Sequence, residues 1–106
     1  MVDHELAERL AGLASRVDNL VHLTIGEESR TLEDQQDRLA KLVLVAIAQD
    51  MDATNKRYQH AVDSVKVATA AIGEADRRIE NVAKIISIVA KALDAAETLL
   101  KKAALG

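Results

Sequence analysis

The chain has no cysteine, no proline, no tryptophan and no phenylalanine, and Tyr58 is its one aromatic residue. Without cysteine it can form no disulfide framework and no thiolate metal site, and it offers no thiol nucleophile. Without proline, glycine is left as the main residue able to interrupt a helix. With so little aromatic area, any core must be aliphatic and rich in alanine, and small side chains of that kind let helix backbones approach closely. No Asn-Gly or Asp-Gly turn stands between alternating apolar runs, so no β-hairpin is signalled. Neither Gly-x-x-x-x-Gly-Lys-Ser/Thr nor Gly-x-Gly-x-x-Gly occurs, which leaves the nucleotide-binding loops without a candidate. The longest apolar run, LVLVAIA (Leu42 to Ala48), is too short to span a bilayer. The opening MVDHELAERL is acidic and amphipathic and does not have the basic head and apolar core of a signal peptide, so a cytoplasmic location is expected. A net charge of −3 argues against nucleic acid as a partner.

What is present points to helix. Of the 106 residues 49% are hydrophobic and 29% charged, enough for one folded domain that stays soluble. Alanine, leucine, glutamate, lysine and arginine dominate, and all favour helix. A first helix is expected over residues 3–23. Asp3 can cap it, Glu5 and Glu8 suit the positive end of its dipole, and Leu6, Leu10, Leu13, Val17 and Leu20 recur at helical spacing. The segment HLTIGEES ends it, with Gly26 as a left-handed C-cap. A second helix is expected from Thr31, where Ser29 or Thr31 can act as N-cap and Thr31 with Asp34 resembles a capping box.

The stripe of that second helix reads Leu32, Gln36, Leu39, Val43, Ile47, Met51, Thr54, Tyr58, with a stutter between Leu39 and Met51. From Tyr58 onward it becomes a heptad. One row reads Tyr58, Val65, Ile72, Ile79, Ile86, Leu93, Leu100 and the other Ala61, Ala68, Ala75, Val82, Val89, Ala96, Ala103. Gly73 falls inside this pattern. The unbroken phase from Val65 through Ile72 to Ile79 favours a continuous helix of ~70 residues, about 105 Å long at 1.5 Å per residue. Against this, IGEESRTLED (Ile25 to Asp34) and IGEADRRIEN (Ile72 to Asn81) share Ile-Gly-Glu, then arginine, then glutamate. If the second copy turns as the first does, helices over 31–72 and 75–104 form a hairpin. The expected fold is therefore all-α: a short first helix and a very long second one, broken or unbroken at Gly73, assembled as a coiled-coil-like bundle.

A rod of this kind cannot hide its own stripe, so its seam is assigned to contact with another helix. Tyr58, Val65, Ile72, Ile79, Val82, Ile86, Val89, Leu93 and Leu100 are the expected interface, and burial of each leucine or isoleucine contributes roughly 1.5–3 kcal/mol. The partner is the chain itself, as a dimer or tetramer, or another helical protein. Acidic residues over Glu27 to Asp37 and basic ones in the C-terminal helix favour an antiparallel pair. The expected function is non-enzymatic helix–helix association in a structural, adaptor or assembly role.

Two alternatives stand beside this. The segment from Val82 to Leu105 is amphipathic with lysines on its polar side, which suits a membrane surface, although it lacks tryptophan and phenylalanine anchors and carries Asp94 and Glu97. A small bundle enzyme or metal protein would draw on Asp18 and His22, one turn apart, and on Asp50 near the seam. The histidines are His4, His22 and His60, and no Glu-x-x-His pair of the di-iron kind occurs. Ordinary surface polarity accounts for Asp18 and His22, and a register-setting or exposed position accounts for Asp50. No catalytic, cofactor or metal-binding residue is assigned.

Overall fold

A computed structural model describes residues 5–48, 56–75 and 82–105. They form four helices: α1 (Glu5–Leu23), α2 (Gly26–Ala48), α3 (Lys56–Ala75) and α4 (Val82–Leu105). Helix α1 packs on α2 and α3, and α4 packs on α2 and α3, so α1/α4 and α2/α3 lie across the diagonals of a square. The longest dimension is 40 Å, well short of the rod that an uninterrupted heptad would give. The expected all-α bundle is present, built as two helical hairpins.

Side-chain contacts give the directions. Ser29 Oγ donates to the Val21 carbonyl at 3.1 Å and Gln36 Nε2 to Asp18 Oδ1 at 3.1 Å, so α1 and α2 are antiparallel. Tyr58 Oη accepts from the Leu6 amide at 3.1 Å, and Arg16 reaches over Gly73, so α1 and α3 are parallel. Gln35 meets the Ile86 carbonyl and Arg38 meets Glu97, so α2 and α4 are parallel too. The chain therefore reverses between Ala48 and Lys56 and again between Ala75 and Val82. Gly73 lies within α3, and the helix runs through it before the reversal.

The α1–α2 junction departs from the expected capping. Gly26 has φ of 72°, as a left-handed cap requires. Helix α2 begins there rather than at Thr31, whose hydroxyl donates back to the Glu27 carbonyl at 2.9 Å inside the helix. Ser29 caps no N-terminus. Its hydroxyl and that of Thr24, which donates to the Leu20 carbonyl at 2.8 Å, satisfy the last carbonyls of α1.

The core is the expected aliphatic one. Leu6, Leu10, Leu13, Val17 and Leu20 of α1 are all buried, as are Tyr58, Ala61, Val65, Ala68 and Ile72 of α3. The stripe of α2 differs from the expected one. In α2 the buried residues are Leu32, Gln35, Leu39, Leu42 and Ala46, a regular 3–4 spacing, so the stutter disappears; Val43 is half-buried and Ile47 is 52% exposed. In α4 the expected rows are buried at Val82, Val89, Leu93, Ala96 and Leu100, with Ile85, Ala92 and Leu99 buried beside them and Ile86 half-buried. Asp3, Asp50, Met51, Thr54, Asp76 and Ile79, which the sequence reading used, lie outside the described residues.

Single substitutions test the cap and the buried hydroxyl separately. Gly26→Ala would hold an alanine at positive φ and is expected to lower stability by about 1–2 kcal/mol. Tyr58→Phe would leave the Leu6 amide without its buried acceptor, with an expected loss of about 0.5–1.5 kcal/mol. Urea unfolding followed by circular dichroism measures both.

Candidate interaction surface

The nine seam residues assigned to an interface divide as follows. Tyr58, Val65, Ile72, Val82, Val89, Leu93 and Leu100 are buried within the chain's own bundle, Ile86 is half-buried, and Ile79 is outside the described residues. Two antiparallel hairpins thus provide the helix contacts that the sequence reading sought in a second molecule. The apolar face of α4, considered for a membrane surface, is turned into the same core. No helix among the described residues is long and apolar enough to cross a membrane.

Apolar surface is exposed elsewhere. On α2, Leu44 is 71% and Ile47 52% exposed, and the helical phase sets them on one side with Ala40, which is also exposed. Leu44 and Ile47 belong to LVLVAIA, which is apolar around the whole circumference of the helix. A corner helix of a bundle has core on one side only, so part of such a run must face solvent. The cross-hairpin bonds Asp18–Gln36 and Val21–Ser29 join the C-terminal half of α1 to the N-terminal half of α2, so the N-terminal half of α1 runs beside the apolar end of α2. Ala11, Gly12 and Ser15 are exposed. No atom lies within 4 Å of a Cβ built at Gly12. A helix-interior glycine costs about 1 kcal/mol relative to alanine, and no contact among the described residues calls for one here. The outer side of the α1–α2 hairpin therefore carries an apolar ridge on α2 with small exposed residues, Ala11 and Ser15, on α1, whereas Gly12 points away from α2.

Gln35 is the one buried polar residue among those described, 4% exposed. Its Nε2 donates to the Ile86 carbonyl at 2.9 Å, while its Oε1 has no hydrogen-bond partner. The amide ties α2 to α4 at one level and so acts as a register pin. Close by, Arg38 donates through Nε at 3.0 Å and Nη2 at 2.6 Å to Glu97 Oε1. Both side chains are about two-fifths exposed, which limits the ion pair to a modest contribution. Its sense is opposite to the charge pattern read from the sequence: the basic partner comes from the edge of the acidic segment and the acidic one from the basic helix.

A groove of about 530 Å3 runs between α3 and α4. Arg57, His60 and Lys91 line it with Asp94, Ser64 and Thr98, and Leu99 closes its floor. Its charged side chains are solvent-exposed. His60 and Ser64 stand one turn apart on α3. Asp18 and His22 are engaged locally: the carboxylate accepts from Gln36, and His22 Nδ1 donates to the Asp18 carbonyl at 3.1 Å. Among the described residues no three His, Asp or Glu side chains are grouped as a metal site would need. Asp50 is outside those residues.

The fold places the chain among four-helix bundles. Comparison with protein-family models, curated proteins and solved structures finds no match, so a functional reading rests on the surface itself.

The orphaned Gln35 oxygen gives a third prediction. Gln35→Leu removes both the amide bond and the unsatisfied acceptor, and an apolar side chain of similar size fills the site. Stability is expected to stay within ~1 kcal/mol of the parent or to rise. A fall of the urea midpoint equivalent to more than about 2 kcal/mol would show that the amide holds the helices together energetically.

Proposed function

We propose that this chain is a non-enzymatic helix–helix association protein, and that the outer face of the α1–α2 hairpin is its contact surface. The observation that carries this reading is the exposure of Leu44 and Ile47, at 71% and 52%, on one side of α2 with the exposed Ala40. Single apolar residues on a surface are ordinary; adjacent large ones on one helical face next to small residues mark a place where another surface can seat. The seam first assigned to this role is occupied by the core, so the association surface moves from α3 and α4 to α1 and α2. Association suits a structural, adaptor or assembly role, in which the bundle presents a rigid two-helix face.

The test is covalent capture in living cells. A photoactivatable phenylalanine analogue at Leu44 is expected to crosslink to peptides of an amphipathic helix, identified by mass spectrometry. The same analogue at Val67, an exposed residue on α3, is expected to give little. Equal labelling from the two positions, or products only with lipid, would refute the reading.

A further inference from the structure

We propose that the groove between α3 and α4 binds a small monocarboxylate with an apolar body, at a site separate from the α1–α2 face. Its volume of about 530 Å3 suits a small molecule. Each helix contributes one stripe to it: Arg57, His60 and Ser64 from α3, and Lys91, Asp94 and Thr98 from α4, all at steps of three or four residues.

The hydrogen-bond donors of this groove are unspent. Lys91, His60, Ser64 and Thr98 make no hydrogen bond or ion pair among the described residues. For a threonine this is a departure. Thr24, Thr31 and Thr69 each donate to the carbonyl four residues back, at 2.8, 2.9 and 2.9 Å, the usual outlet for a hydroxyl on a helix. Thr98 does not, and it is the one of the four that lines the groove. An ammonium, an imidazole and two hydroxyls thus converge with nothing in the chain to receive their bonds. A carboxylate offers two acceptor oxygens and can take bonds from several of them together.

Charge sets the sign and size of the ligand. Over the whole sequence acids outnumber bases, 17 to 14, whereas in the groove Arg57 and Lys91 stand against Asp94 alone. Arg57 has an interaction of its own, which leaves Lys91 as the cation for the ligand. Asp94 repels a second negative charge, so a monoanion fits better than a phosphate dianion. Buried Leu99 and half-buried Ala95 give the remainder of the ligand an apolar floor.

Titration of the 15N-labelled full chain with hexanoate, followed through its amide shifts, tests this. Hexanoate is expected to move the amides of Ser64, Lys91 and Thr98 along one saturating curve and to leave those of Ala11 and Leu44 in place. Hexanamide, which has the same body without the charge, and inorganic phosphate are expected to bind about tenfold more weakly. Lys91→Gln is expected to weaken hexanoate about fivefold, and Asp94→Asn to strengthen it about twofold. Both positions are exposed, so the circular dichroism of each variant is expected to match the parent. Shifts that never saturate, or that spread evenly over all four helices, overturn the site. Equal binding of hexanamide, or an unchanged affinity in Lys91→Gln, overturns the carboxylate as the recognised group. Phosphate binding as tightly as hexanoate overturns the monoanion with an apolar body. None of these results bears on crosslinks from position 44, so the two proposals stand or fall separately.

Discussion

Neither hairpin of this protein can hide its apolar stripe alone, and everything else in the structure depends on their packing together. Each helix offers one buried face, and the α1–α2 and α3–α4 turns bring only half of the necessary surfaces into contact. The remaining two seams, α1 on α3 and α2 on α4, join parallel helices with no turn between them. Their register is not set by a loop, and with leucine, valine and alanine on both sides apolar contact alone sets it weakly. Each of these seams carries one buried polar contact to the backbone: Tyr58 on the Leu6 amide and Gln35 on the Ile86 carbonyl. A directional bond in an otherwise featureless aliphatic seam fixes which turns face each other. The chain's single aromatic and its one buried amide among the described residues are placed where the covalent connections give least help.

Much of the bundle is legible from residue spacing. Leu6, Leu10, Leu13, Val17 and Leu20 leave one choice of face, and α3 is equally plain from Tyr58 to Ile72. Helix α2 is harder because LVLVAIA has no period: when seven successive residues are apolar, the partner surface decides which are buried. Picking the largest side chains leads to Val43 and Ile47, whereas the core takes Leu42 and Ala46. The same preference passes over Gln35, whose neighbour Gln36 looks equivalent in sequence. The reversal after Ala48 has a signal in Asp50, Asp52, Thr54 and Asn55, a cluster of turn-forming residues. Reading Thr54 as a seam position hides it. The second reversal is concealed by coincidence. Ile72, Ile79 and Ile86 keep a seven-residue interval, and Leu93 and Leu100 continue it on the buried face of α4, so the phase alone gives no sign that α3 and α4 are separate helices.

The proposed contact surface is not legible for a related reason. A seam strong enough to demand a partner looks the same in sequence whether the partner is another molecule or another part of the same chain. Here 106 residues contain enough helix to supply that partner internally. What the fold cannot supply is cover for both sides of α2 at once. Turning α2 to bury Leu44 would bring Leu32 and Leu39 out, since these lie on the opposite side of the helix. The apolar end of α2 is therefore left over by construction rather than through poor packing. A chain shaped only for solubility would place lysine or glutamate at positions 44 and 47, just as it places Lys41 and Asp37 on the same helix. Gly12 repeats the point on α1: it weakens a helix it does not otherwise serve.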